Sequence, residues 1–145
     1  VIKIAHRGNQ NGPAQNENEP TQLVATLSGG FDIEVDVWKV EGEFFLGHDA
    51  PQYPVDEQFL RDIGDSAWYH CKNLDALEHF NKHLSDLRYF WHQEDAYTLT
   101  SNGYIWTYPG QQVTDRSILV HLGKPDLSTF DVMPYAICSD YVREF

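Results

Sequence analysis

The sequence predicts one α/β domain over residues 1–145: a contracted TIM-like (β/α) barrel of about seven parallel-type strands, with a small β-hairpin insertion. Three observations lead there. Short β-branched or aromatic runs alternate with helix-like or loop segments, the pattern of βα units around a mainly parallel sheet. Polar and titratable residues recur at the ends of successive runs (His6, Asp36, His70, Lys72, His92 and Asp140), which is where such a barrel keeps its chemistry. At 145 residues, with 41% hydrophobic and 14% aromatic side chains, the chain can bury one core. Barrels of this kind ordinarily need about 200 residues or more, so contraction or incomplete closure is expected, with an open α/β sheet as the alternative.

Val1–Ala5 reads as a buried strand with His6-Arg7-Gly8 at its end. Asn9 to Asn16 is a loop. Asn18 is placed as the N-cap of a helix with Pro20 in its first turn; Leu23, Val24 and Leu27 share one face, and Gly29-Gly30 stops it. Phe31 to Val40 is the next strand, with Ile33, Val35 and Val37 on one face and Glu34 and Asp36 on the other. Two carboxylates on one face are costly to bury without cations. Glu41-Gly42 looks like a tight turn into Phe44-Phe45-Leu46. A strict two-residue turn sets Asp36 opposite Gly47 and leaves His48 on the wrong face, so either a three-residue loop or a bulge near Gly47 is expected.

A short helix near Asp56 to Asp62 precedes a strand at Ala67–Lys72, where His70 and Lys72 share a face. Asn73 caps a helix with the stripe Leu74, Leu77, Phe80 and Leu84. Further strands are expected at Arg88–Gln93, Tyr104–Tyr108, Ile118–His121 and Tyr135–Cys138, with a short helix or turn between Glu94 and Gly103.

Ten Lys+Arg against 22 Asp+Glu give a formal charge of -12, which disfavours nucleic acid and anionic membranes. No apolar run is long enough for a membrane span and no signal-peptide pattern opens the chain. Cys71 and Cys138 lie in apolar runs without metal-site spacing, so they read as reduced core thiols of a cytoplasmic protein.

In order and spacing, His6-Arg7-Gly8, Glu17-Asn18, Glu34-Val35-Asp36 and Gly47-His48-Asp49 resemble the glycerophosphodiester phosphodiesterase family, with its HRG, PENT-like, ExD and HD elements. Weaker echoes follow in His70-Cys71-Lys72, Trp106-Thr107 and Ser139-Asp140. The resemblance implies a TIM barrel that hydrolyses phosphodiesters with a divalent cation. It implies His6 and His48 as the acid/base pair, Glu34 and Asp36 as cation ligands, and Arg7 and Lys72 as phosphate binders. Glu17 stands for the PENT glutamate, with Glu19 as the other candidate. The third metal carboxylate of the family is His70 here, a poorer ligand for calcium and a better one for manganese or zinc. Magnesium or calcium, or else manganese, is the expected cofactor. Asp49, His92 and Asp140 are supporting candidates, Asp140 either orienting Arg7 or Lys72 or closing a turn.

His79 and His83, four apart on a helix, lack the HExxH glutamate and read as a solvated face; His121 reads as a core or rim histidine. The expected function is hydrolysis of a glycerophosphodiester or similar small diester. Two alternatives stand: phospholipase D-like activity on a lysophospholipid, and a non-catalytic module binding a phosphorylated ligand or a protein. An incomplete barrel would need its strand edges covered, for which a homo-oligomer is the expected partner.

Overall fold

A computed structural model describes all 145 residues. Ten strands form one mixed sheet: β1 (Ile2–Ala5), β2 (Asp32–Val40), β3 (Glu43–Leu46), β4 (Tyr53–Val55), β5 (Ala67–Cys71), β6 (Arg88–Phe90), β7 (Tyr97–Leu99), β8 (Ile105–Thr107), β9 (Ser117–Val120) and β10 (Ala136–Ser139). Three α-helices accompany it: α1 (Pro20–Ser28), α2 (Glu57–Asp62) and α3 (Leu74–His83). The predicted TIM-like (β/α) barrel is therefore corrected to a mixed-sheet half-barrel with few helices.

Where the prediction fails is physical. β6, β5, β2, β1, β10, β9 and β8 are successive parallel neighbours, but no strand pairing joins β6 to β8. Between those two the chain forms β7, antiparallel to β8, where a helix or turn was expected. The β-branched and aromatic run Tyr97-Thr98-Leu99 favours extended backbone. The connections around β9 carry Pro109-Gly110, Gly123-Lys124-Pro125 and Pro134, which break helices, and that half of the sheet has only single 3-10 turns at Leu127–Thr129 and Val142–Glu144. β4 was also unforeseen.

β2 organises the sheet because it is long. Its first residues pair with β1, through Ile4↔Asp32 and Ala5↔Ile33, while the opposite edge pairs with β5. β1 then ends in a turn at His6–Gly8, where Arg7 and Gly8 have φ 55° and 81°. The edge thus vacated is taken by β3, from Val37↔Leu46 to Val40↔Glu43. That register gives a strict two-residue turn, with Glu41 and Gly42 both at positive φ, so the three-residue loop is not formed. Instead the ladder stops at Leu46 and Gly47, at φ 152°, redirects the chain.

Period-two alternation separates the two faces. Ile33, Val35, Val37, Ala67, Tyr69 and Cys71 join Leu23, Leu60, Phe80 and Leu84 from the helices in a cluster of 17 buried residues. The opposite face carries a smaller cluster of seven: Ile4, Trp68, Phe90, Trp106, Ile118, Ala136 and Cys138. Its floor is closed by Arg88, whose guanidinium lies 4.2 Å from the Trp68 ring centroid and 3.6 Å from Asp32. Both cysteines are buried and unbridged, and burial pushes their thiols up.

Two helix details depart from expectation. The N-cap of α1 is Glu19 and Pro20 occupies its first position, leaving Asn18 for another use; Val24 is exposed. Asn73 does cap α3, accepting from the Ala76 N–H, and it also bonds the Lys39 backbone at both N and O. Leu74, however, points to solvent.

Candidate active site

Above the smaller cluster, at the C-terminal ends of the parallel strands, the same inward positions turn polar. Ile4 is followed two residues on by His6, Trp68 by His70, Phe90 by His92 and Cys138 by Asp140. A cavity of about 350 Å³ opens there. His6, Arg7, Glu34, Asp36, His48 and His70 line one wall. Trp106, Tyr108, Pro109, Val120 and Leu122 make the other, with His92 and Gln93 between.

Asp36 is the centre, 1% exposed, and its two oxygens are used differently. Oδ2 accepts from Asn18 Nδ2 at 3.0 Å and faces Arg7 Nε at 3.6 Å and His48 Nδ1 at 3.5 Å. Oδ1 lies 3.2 Å from His70 Nδ1 yet has no hydrogen-bond partner. Asn18 closes a second bond by accepting from the Asp36 N–H at 3.0 Å, so its amide fixes the carboxylate's plane. A residue expected to cap a helix is thus part of the site, and its own φ of 64° belongs to that task.

Glu34, 3% exposed, accepts from the Arg7 N–H at 3.1 Å and lies 3.8 Å from His70 Nδ1. Burial and the Asp36 charge push its pKa well above the usual carboxylate range. Burial would do the same to Asp36, but the imidazoles of His48 and His70 and the Asn18 amide hold it well below.

His6 is held by Asp140, Nδ1 to Oδ1 at 2.8 Å. Asn9, nearly fully buried, donates to the same Asp140 oxygen at 2.9 Å and to Glu17 at 2.8 Å, and Glu17 in turn lies 3.6 Å from the Arg7 guanidinium. Burial raises the Asp140 pKa, but the His6 and Asn9 hydrogen bonds win and lower it overall. Asp140 thus orients His6 rather than Arg7 or Lys72. His48 is the freer histidine, with its side chain 37% exposed between Asp36 and the solvent-facing Asp49. Gly47 sets it: a Cβ there would lie 2.2 Å from the Ala50 carbonyl, and its own carbonyl accepts from Trp38 Nε1 at 2.7 Å.

His70 Nε2 bonds the His92 backbone carbonyl at 2.8 Å, and its ring stacks on Phe90 with centroids 5.1 Å apart. His92 contributes its ring to the cavity and its carbonyl to His70. Burial, then the nearby charges of His70 and Lys72, lower its pKa. Lys72 follows β5 but neither lines the cavity nor forms an ion pair, so the expected phosphate ligand does not join the set. His79 is not solvated as expected: it bridges Glu57 at 2.6 Å and Lys39 at 2.9 Å, far from these groups in the fold.

Eight of the eleven candidates thus converge, with Glu17 and Asp49 at the margin and Lys72 outside. Asn9 and Asn18 were missed; the Asn following Glu17 in the PENT-like segment was the available signal for Asn18. The donor set fits a cation on one observation, the buried, unpartnered Asp36 Oδ1 beside Glu34 and His70. Comparisons with protein-family models, curated proteins and solved structures found no match, so the functional reading rests on this arrangement of side chains.

Proposed function

We propose that the chain is a cation-dependent phosphodiesterase hydrolysing a glycerophosphodiester or similar small diester, the activity to which its HRG, ExD and HD elements pointed. The observation that carries the reading is the convergence of His6, Arg7, His48 and the Glu34–Asp36 pair on one cavity. Four carboxylates, from Glu17, Glu34, Asp36 and Asp140, stand against the single guanidinium of Arg7, so an anionic phosphate needs added positive charge to enter. A divalent cation held by Glu34, Asp36 and His70 supplies it, and offsets the charge that gathers on the phosphate oxygens.

The protein's own groups divide the proton work. With Nδ1–H donated to Asp140, the His6 ring offers Nε2, free of protein partners, to take the proton of an attacking hydroxyl. As that oxygen bonds to phosphorus, the bond to the leaving oxygen breaks. His48, partly exposed at the cavity mouth, gives that oxygen its proton. Arg7 supplies hydrogen bonds to a phosphate oxygen; its side chain is aligned by Glu17 and Asp36 and its backbone by Glu34.

The apolar wall of Trp106, Tyr108, Pro109, Val120 and Leu122 favours a second reading of the same site, with a lysophospholipid as substrate. Assays on glycerophosphocholine-type diesters and lysophospholipid, each with magnesium, calcium and manganese, separate the two. His6→Ala and His48→Ala are each expected to lose about 10²- to 10⁴-fold in kcat. Full activity in both variants removes the mechanism. Calorimetric binding of glycerol phosphate without any turnover indicates a binding module instead.

A further inference from the structure

We infer that the Glu34–Asp36–His70 site is a mixed nitrogen and oxygen site selective for a borderline first-row dication, such as manganese(II), cobalt(II) or zinc(II), over magnesium and calcium. The inference rests on the cation of the proposed function, not on its reaction.

The argument begins at the far side of the His70 ring. Nε2 faces the His92 backbone carbonyl at 2.8 Å, and a carbonyl oxygen only accepts, so Nε2 carries a hydrogen. Deprotonated, as a metal ligand has to be, the ring has its lone pair on Nδ1, the nitrogen turned toward Asp36 Oδ1 at 3.2 Å and Glu34 Oε2 at 3.8 Å. With the ligands in that form three electron-rich atoms from three buried or half-buried side chains face one another, and Asp36 Oδ1 is buried without a hydrogen-bond partner. Lone pairs in that arrangement repel unless a cation lies among them.

The closer of these spacings admits a small dication. Two ligand atoms each about 2.1 Å from a metal, about 100° apart, stand about 3.2 Å from each other. The support around the ligands is also that of a metal site. The carbonyl partner fixes the His70 tautomer, the Phe90 ring fixes its plane, and Asn18 occupies Asp36 Oδ2 so that Oδ1 is the oxygen left over. Imidazole nitrogen suits manganese, cobalt and zinc, whereas magnesium and calcium favour shells made of oxygen alone. All three side chains line the cavity, so an ion held by them would be reached from it.

The test loads the intact protein with manganese(II) and reads pulsed electron paramagnetic resonance for coupling to directly bound nitrogen. A bound ion with nitrogen coupling that His70→Glu abolishes supports the inference. Manganese bound without nitrogen coupling overturns it, as does failure to bind manganese, cobalt or zinc. On the unaltered protein, displacement of manganese by equimolar calcium or magnesium overturns it without reliance on any variant. In competition titrations His70→Glu is expected to shift the zinc-to-calcium affinity ratio toward calcium by about 10- to 100-fold. A protein that binds manganese through nitrogen yet leaves every diester intact retains this site and loses the phosphodiesterase reading alone.

Discussion

Asp140 illustrates what a single carboxylate does here. It accepts from both His6 and Asn9, and its pKa is lowered on folding. A lowered acid favours the folded state fully above the ordinary aspartate range, about 3.9, and that contribution disappears as pH falls through the lower folded value. Urea unfolding of Asp140→Asn and the parent chain between neutral and strongly acid pH is expected to show the stability gap close on acidification; parallel curves would refute the role. The same substitution is expected to lower kcat more than it alters KM, since Asp140 aims His6 and touches no substrate.

Much of the site was legible at this scale because of strand arithmetic: residues two apart share a face, so Glu34, Asp36 and His70 had to look the same way once β2 and β5 were parallel, and His6, His92 and Asp140 carry that alternation just past the ends of their strands. What sequence could not resolve was competition among local uses of one residue. Asn18 suits a helix N-cap and a carboxylate clamp equally well, and only the position of Asp36 decides between them. Lys72, one residue past the end of β5, does not join the site, and its spacing in the sequence is no different from that of His6 or Asp140, each one residue past its own strand.

Among the elements, the β2–β3 hairpin carries the sharpest requirement. Its two-residue turn commits the register, and Gly47 alone rescues His48 from the wrong face. Gly47→Ala meets both a φ of 152° and a carbonyl at 2.2 Å, so it is expected to cost at least about 1–3 kcal/mol in stability and to lose activity as His48→Ala does. Thermal unfolding and kinetics on the same sample check this; a variant with the parent's Tm and rate would show that the chain bends elsewhere. The strands of the parallel set were readable from their apolar runs, whereas β4 is centred on Pro54 and the Tyr97–Leu99 run of β7 lies where regular βα units would place a helix or turn. The missing helices follow from proline and glycine in the β8–β10 connections, a signal present in the sequence but outweighed by the expectation of regular βα units.

For the molecule as a whole, helices and the larger cluster back one half of the sheet, whereas the β8–β10 half relies on strand pairing and the smaller aromatic cluster. The chemistry straddles that division, its titratable wall on the well-supported half and its apolar wall on the other. No helix is long and apolar enough to cross a membrane.

His70, Phe90 and Trp106 form a continuous pile of rings, with centroids 5.1 Å and then 4.3 Å apart and planes tilted by 16° and 24°. An indole two storeys below the imidazole proposed to hold the ion is a lamp wired to the socket. Cobalt(II), whose absorption drains excited-state energy from nearby chromophores, is expected to dim the protein's ultraviolet-excited glow on binding, with the Trp106→Phe chain dimming less. Equal dimming in the two chains would mean that the light comes from Trp38, Trp68 or Trp91 instead. Dimming of that kind would let the fold report on the proposed charge-bearing guest with no label attached.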